Sequence, residues 1–507
     1  MVITIKKGCQ ALSHNSKEGL IKLHNHYYIS IMTNRNFRKD IAGVNIKVPV
    51  IGGALHNYIN FDNAASTPPL KCVWETLKEF KDYYSSVHRG TGYKSVVSTK
   101  AYDLAHEKAL QFVDADPEHF TCIMVRNTTE GINRLSRRLG LTKNDIVLSS
   151  LMEHHSNDLP WRMRARIDYI EVDNNGQIDL EDLHSKLLKY GRQVKLVAIS
   201  GASNVTGLMP PIGEAARIAH DHGAQFMVDA AQLAPHREIR MGRPGREDSI
   251  DFLVFSGHKM YAPFGAGVLI GPKSLFKQGD PDLVGGGAVN YVTLSQVQWA
   301  HLPDKEEAGS PNVPGAVALA SAMDYLRFVG FRKIAAHEKE LTKYALEKFA
   351  QLDGITLYGP TKWIPGQDRV GVISFNVDGV YHAVTAAILS FEGAVAVRNG
   401  CFCAHPYIMR LLKISEKASH KYRDQINAGV RSEVPGLVRV SFGIYNTKAE
   451  IDTFFKVLKL IINRTYKGEY LIDKHTGQVR ARGFKFPEKQ RFLRHENHKG
   501  TSRRPYR

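Results

Sequence analysis

Lys259 stands just past a β-rich run, Asp251-Phe252-Leu253-Val254-Phe255, that stops at Ser256-Gly257-His258. An amine held at a strand end, beside a histidine and away from bulk water, can lose its proton and attack a carbonyl. A second run, Gln225-Phe226-Met227-Val228, ends on Asp229 and passes into Ala230-Ala231-Gln232. A carboxylate there can keep a heteroaromatic nitrogen protonated, so that the ring accepts carbanion electrons. Asn127-Thr128-Thr129-Glu130-Gly131 also follows a β-rich run and opens a helical stretch. It offers the amides and small hydroxyls that hold a phosphate at a helix N-terminus, although the same pattern makes a plain N-cap.

Together a lysine and an aspartate at neighbouring strand ends meet the needs of pyridoxal phosphate. An amino-acid substrate would also need a fixed partner for its carboxylate, for which a bidentate arginine is best suited. Arg439 lies inside the apolar run 437–442, where an arginine without a purpose is costly. His154-His155 reads as strand sequence, in which adjacent side chains point to opposite faces and chelate poorly, so no metal site is expected. Arg398-Asn399-Gly400-Cys401-Phe402-Cys403-Ala404 carries two thiols on a glycine-led loop. If that loop is extended, both thiols lie on one side, about 6.5–7 Å apart at Cα.

The elements that must position these groups are legible as alternation. Runs 121–125, 145–149, 168–172, 194–200, 225–229, 252–255 and 267–270 read as strands, with helical spacing between them, as at 213–222. Such alternation predicts a largely parallel sheet covered on both faces, with ligands bound beyond the carboxyl ends of its strands. Gly285-Gly286-Gly287, Pro311 and Pro314 mark the exit from this lobe, and a helix is predicted from 314 to 327. Strands at 370–377, 394–397 and 437–442 predict a smaller α+β lobe. The expected division is an N-terminal extension over 1–56, a large domain over 57–310, a small domain over 311–462 and a basic tail over 463–507.

Several motifs occur in a fixed order: Phe61-Asp62-Asn63-Ala64-Ala65-Ser66-Thr67-Pro68, Val87-His88-Arg89-Gly90, the segment 127–133 and Glu153-His154-His155-Ser156-Asn157. Ser203-Asn204-Val205-Thr206-Gly207, the steps 229–232 and 256–259, Glu307-Ala308-Gly309-Ser310-Pro311-Asn312, the cysteine loop and Arg439-Val440-Ser441 complete the series. In this order, over roughly 57–462, the chain resembles fold-type I, class V pyridoxal-phosphate enzymes, closest to the cysteine desulfurase and selenocysteine lyase branch. The resemblance implies an α/β fold with a mainly parallel seven-stranded sheet and a smaller α+β C-terminal domain. It implies that Lys259 carries the cofactor, Asp229 meets the ring nitrogen, Gln232 bonds the phenolic oxygen and His154 stacks on the ring and carries protons. Thr129 with the amides of Glu130 and Gly131 would hold the phosphate, with Ser256 and His258 on its other side. Ser310 would reach the phosphate of a neighbouring subunit in a homodimer. Arg439 would anchor the substrate carboxylate with Asn204 nearby, and Arg398 and His88 would lie near the site. Cys403, followed by Ala404, matches the nucleophile that takes sulfur from L-cysteine and passes it to an acceptor protein, leaving alanine. Cys401 departs from the pattern. Selenocysteine, or another class V reaction such as transamination, epimerization or C–S lysis, remains open, as does a sulfur-transfer scaffold.

Bulk properties bound the rest. The 507 residues include 43% hydrophobic ones, enough for two packed lobes, and no stretch reaches the ~18 apolar residues of a membrane span. Cysteines at 9, 72, 122, 401 and 403 are an odd, scattered set, which predicts reduced thiols and a cytoplasmic setting. Arginine and serine are sparse for an organelle leader in residues 1–39, and no secretory signal is read there. Of the net charge of +18, residues 463–507 hold +9, from 13 Lys/Arg against 4 Asp/Glu. That tail, with Tyr466, Tyr470, Phe484, Phe486 and Phe492 among its basic residues, is expected to lack fixed order and to suit nucleic acid or an acidic protein surface.

Overall fold

A computed structural model of the chain describes residues 37–485 except 89, 174, 175 and 244. Arg89, Phe486 and Phe492 therefore lie outside the described residues, as do the ends of both expected extensions.

Seven strands form the main sheet: β1 (Phe120–Val125), β2 (Ile146–Ser150), β3 (Arg166–Ile170), β4 (Val194–Ser200), β5 (Gln225–Asp229), β6 (Phe252–Ser256) and β7 (Gly267–Pro272). Their spatial order is β1-β7-β6-β5-β4-β2-β3. The run from β6 to β3 is parallel, and β7 lies antiparallel between β6 and β1. The expected strands are all present, shifted by one or two residues at some ends. Strands β2, β5 and β6 are buried along nearly their whole length, which explains their unbroken Val/Ile/Leu/Phe character. Helix α1 (Thr128–Arg138) opens directly after β1, where the Asn127 side chain accepts from the Glu130 amide. The carboxyl ends of β2, β4, β5 and β6 thus share one rim with the start of α1.

Helix α2 (Val313–Val329) joins the core of this lobe through Val313, Leu319, Met323 and Leu326. A boundary at 310/311 therefore falls too early for the packing, because the second core begins with Leu341 in α3 (Phe331–Phe349). That core is built on an antiparallel sheet of β8 (Ile355–Tyr358), β9 (Val372–Val377), β10 (Arg398–Gly400) and β11 (Leu437–Ser441), in the order β8-β9-β11-β10. Helices α4 (His382–Gly393) and α5 (Lys448–Ile462) contribute Ile388, Leu389, Phe454 and Leu458 to the same core. Ile59 and Phe61 also belong to it, so the chain, which packs Ile41 in the core of the large lobe, crosses the small lobe before returning to the large one at Ala64. Among the described residues no helix is long and apolar enough to cross a membrane.

The expectation of a tail without fixed order is corrected for its first part. Strands β12 (Tyr470–Ile472) and β13 (Val479–Ala481) form an antiparallel hairpin. Its turn is closed by Asp473 Oδ1, which accepts from the amides of His475 and Thr476, and by Gly477 at φ +70°. Few apolar residues suffice because the hairpin has one face to cover, the end of α4, where Phe391 meets Tyr470 and Phe484.

Candidate active site

A cleft of about 390 Å³ lies at the rim of the sheet, within the size range of small-molecule sites. Lys259, Asp229, Gln232, Thr129, Ser256, His258, His154, Asn204, Arg398, Cys403 and Arg439 all line it. Asp229 comes from the end of β5, and Ser256 from the end of β6 with Lys259 in the single turn that follows. Lys259 Nζ donates to Gln232 Oε1 at 3.4 Å. Burial is the main reason its amine falls to about 8, with Arg439 acting in the same direction and Asp229 against it. Asp229 is 5% exposed, and burial raises its carboxyl even though the Ala231 amide donates to Oδ1 at 2.9 Å.

His154 caps a short 3-10 turn (His155–Asn157), so the histidine pair is not on a strand as expected. Its Nδ1 accepts from the Ser156 amide at 3.1 Å, which leaves the proton on Nε2. Burial, then the charge of Lys259, lowers it to about 3, so the ring is neutral. His155 turns away and stacks on His405, with centroids 5.0 Å apart and planes 9° from parallel. Behind them Glu153 accepts from Ser150 Oγ, Ser200 and Asn157, and burial lifts its carboxyl to about 7. Ser256 Oγ meets the Thr128 amide at 2.8 Å and its hydroxyl at 2.7 Å. Thr129 Oγ1 lies 2.6 Å from Ser156 Oγ.

Arg439 and Arg398 sit opposite each other on paired strands β11 and β10. Arg439 is 2% exposed, donates to Asn204 O at 2.9 Å and to Asp62 Oδ1 at 3.1 Å, and lies over the Phe402 ring at 4.8 Å. Its Nε is buried without a partner, an open donor in a cleft that an anionic group would satisfy. Asp62 also lies 3.8 Å from Arg398. Asn204 donates to Phe402 O at 2.8 Å, tying the arginine to the cysteine loop.

That loop is not extended. Phe402 and Cys403 both take left-handed backbone conformations, at φ +49° and +55°, which turn the two thiols apart. Cys403 is exposed at the cleft. Cys401 is buried among Met152, Val205, Tyr407 and Leu437, and donates to Pro435 O at 3.2 Å. Burial pushes its thiol up to about 12.

Four expected site residues lie elsewhere. The Glu130 amide is taken by Asn127 Oδ1 at 3.0 Å, and its carboxylate faces Arg126 and Arg134. The Gly131 amide bonds Asn127 O, and an added Cβ would stand 3.2 Å from Val254, so this glycine lets α1 approach the sheet. His88 leans on Tyr102, 3.9 Å from Asp304, outside the cleft of its own chain. Ser310 is likewise outside it, in a loop fixed by Glu307, which accepts from Tyr102 Oη, His106 Nε2 and the Met124 amide. Conversely, Asn127, Thr128 and Ser156 line the cleft, and Asp62 holds its arginines. All four stand in the quoted motifs without an assigned task, and their hydrogen-bonding side chains beside assigned residues were the available signal.

These groups fit pyridoxal phosphate with an amino acid beside it. A buried carboxylate and an amine face the same cleft, hydroxyls and a helix start line it, and so does Arg439, whose buried Nε has no protein partner. Among the described residues no three His, Cys, Asp or Glu side chains converge on a metal-sized point.

A probable cysteine desulfurase from Halalkalibacterium halodurans is 36% identical over 410 residues, covering 79% of this chain and 92% of that protein. A cysteine desulfurase from Haloferax volcanii is 34% identical over 403 residues, 78% of this chain and 87% of that protein. The apo structure of a cysteine desulfurase from Thermococcus onnurineus superposes with a TM-score of 0.73 at 32% identity, over 85% of this chain and all of the other. The family profile described as aminotransferase class-V matches residues 59–454, across both lobes and every motif that reaches the cleft. On sequence and fold alike, the chain belongs to the class V aminotransferase family.

Proposed function

We propose that the protein is a pyridoxal-phosphate-dependent cysteine desulfurase that converts L-cysteine to L-alanine and carries the sulfur as a persulfide on Cys403. The observation that carries this reading is the exposed Cys403 in the same cleft as Lys259 and the buried, partly unpartnered Arg439. Bound at Lys259, pyridoxal phosphate supplies an electron sink for negative charge at the substrate Cα.

The remaining work falls to side chains. Arg439 holds the substrate carboxylate through its guanidinium, oriented by Asp62 and Asn204 O. Asp229, in a dry setting, pairs with a protonated ring nitrogen, and the neutral His154 offers a flat face with its proton on Nε2. Thr128, Thr129, Ser156, Ser256 and His258 hold the phosphate. Lys259, with a value near neutrality, takes and returns the Cα proton. The Cys403 thiolate attacks the substrate sulfur. As the S–S bond forms, the C–S bond breaks and its electron pair stays on carbon, which is protonated to give alanine. A thiol acceptor then takes the outer sulfur and returns Cys403 to a thiol.

We place the working unit as a homodimer in which Ser310 and His88 serve the neighbouring cleft, and the protein in the cytoplasm. The basic composition of the tail, residues 463–507, suits an acidic acceptor protein or nucleic acid. Cofactor-loaded protein given L-cysteine and a reductant should form alanine and sulfide in equal amounts. Pyruvate as the main product, or transfer of the amino group, would overturn the assignment.

A further inference from the structure

The hairpin β12–β13 lies beyond residue 454, where the family match ends, yet it is joined to both supports of the cysteine loop. One support is α4, which packs on β13 on one side and on β10 on the other. Glu392, in the last turn of α4, opposes the helix dipole there and so needs partners. It finds them at the start of the hairpin: the amides of Lys467 (2.9 Å) and Gly468 (2.8 Å), and Tyr470 Oη (3.0 Å). At its other end, α4 presents His382 to Val434 O at 3.0 Å and to Asn399 of β10 at 3.3 Å.

The second support is the connection 429–436. The Arg431 amide donates to Lys474 O at 2.8 Å, and His475 Nδ1 meets Gly429 O at 3.0 Å. The approach is so close that a Cβ on Gly477 would stand 2.9 Å from Arg431 O. Four residues further on, Pro435 O takes the Cys401 thiol and Gly436 packs against Gly400. Hairpin, connection and cysteine loop thus form a continuous stack, with Cys401 as its innermost contact.

We propose that the C-terminal hairpin is a positioning element for the nucleophile loop: it braces α4 and the 429–436 connection, and through the packing of Gly436 on Gly400 and of α4 on β10 it holds Phe402 and Cys403 in their left-handed conformations. This rests on the desulfurase reading for its kinetic consequence, but not for its structural one. The test uses cofactor-loaded full chain, the chains truncated after Lys485 and after Arg464, and Glu392→Ala with Glu392→Gln as its conservative counterpart. Iodoacetamide labelling of Cys401, followed by peptide mass spectrometry, reads loop opening independently of activity. Truncation after Lys485 should change nothing. Truncation after Arg464 and Glu392→Ala should each raise Cys401 labelling about tenfold through local opening and lower kcat by a similar factor, with KM and cofactor loading retained. Glu392→Gln, which keeps an acceptor oxygen, should fall between. Unchanged Cys401 labelling in loaded Glu392→Ala protein would overturn the brace, even if the truncated chain fails to fold. A full chain that makes no alanine would overturn the desulfurase reading alone.

Discussion

Arg439→Lys keeps the positive charge in β11 and removes the fork. In the structure the guanidinium spends one nitrogen on Asn204 O and another on Asp62 Oδ1, and leaves Nε buried and open. A lysine amine in the same sheath can follow the nearest charge, Asp62, but cannot hold that partner and a substrate carboxylate in one plane. The loss is one charge-assisted hydrogen bond to substrate, about 1.5–3 kcal/mol, and so about tenfold to a hundredfold in the half-saturating L-cysteine concentration. Because the carboxylate is held alike before and during reaction, kcat should stay within about threefold. Initial rates of alanine formation over a range of L-cysteine measure both quantities. Cysteamine, which lacks the carboxylate, supplies the control: its affinity should be the same in both proteins. A KM for L-cysteine within twofold of the parent, with the cofactor fully loaded, would refute the anchoring role of Arg439.

Cys403→Ala should abolish alanine and sulfide formation and leave cofactor loading intact, while Cys401→Ala should keep most of the turnover and lower stability by about 1 kcal/mol for a lost weak hydrogen bond and packing, read by denaturant unfolding. In cofactor-free protein the Lys259 amine is protonated below about 8 and free above it, so the rate of cofactor capture, fixed with borohydride and located by mass spectrometry, should rise with pH and level off past that point. A capture rate still climbing in the range of an ordinary lysine would contradict the buried setting. Ser310→Ala should weaken cofactor retention measured by equilibrium dialysis, and light scattering should find a dimer; an active monomer with Ser310 dispensable would exclude the shared site.

The strand–helix alternation and the residues ending each strand were sufficient, by themselves, to predict the main sheet and to put Asp229 and Lys259 at one rim, because buried parallel strands must be apolar throughout and must stop where polar side chains begin. The order of motifs carried the family. Tertiary structure alone decided matters that depend on contacts distant in sequence. Glu130 and Gly131 stand in a phosphate-binding pattern, but local capping by Asn127 consumes their amides. Cys401 and Cys403 are chemically alike in sequence and are separated only by two left-handed residues and by Pro435 O, a carbonyl more than thirty residues away. Asp62 gains its task only when β11 brings Arg439 to it across 377 residues. The basic segment after Asn463 has the composition of a solvated tail, yet one turn closed by Asp473 and one carboxylate on α4 fold its first part onto α4 and the 429–436 connection. Composition records how much apolar surface a segment owns, whereas its order here depends on surface supplied by the rest of the chain.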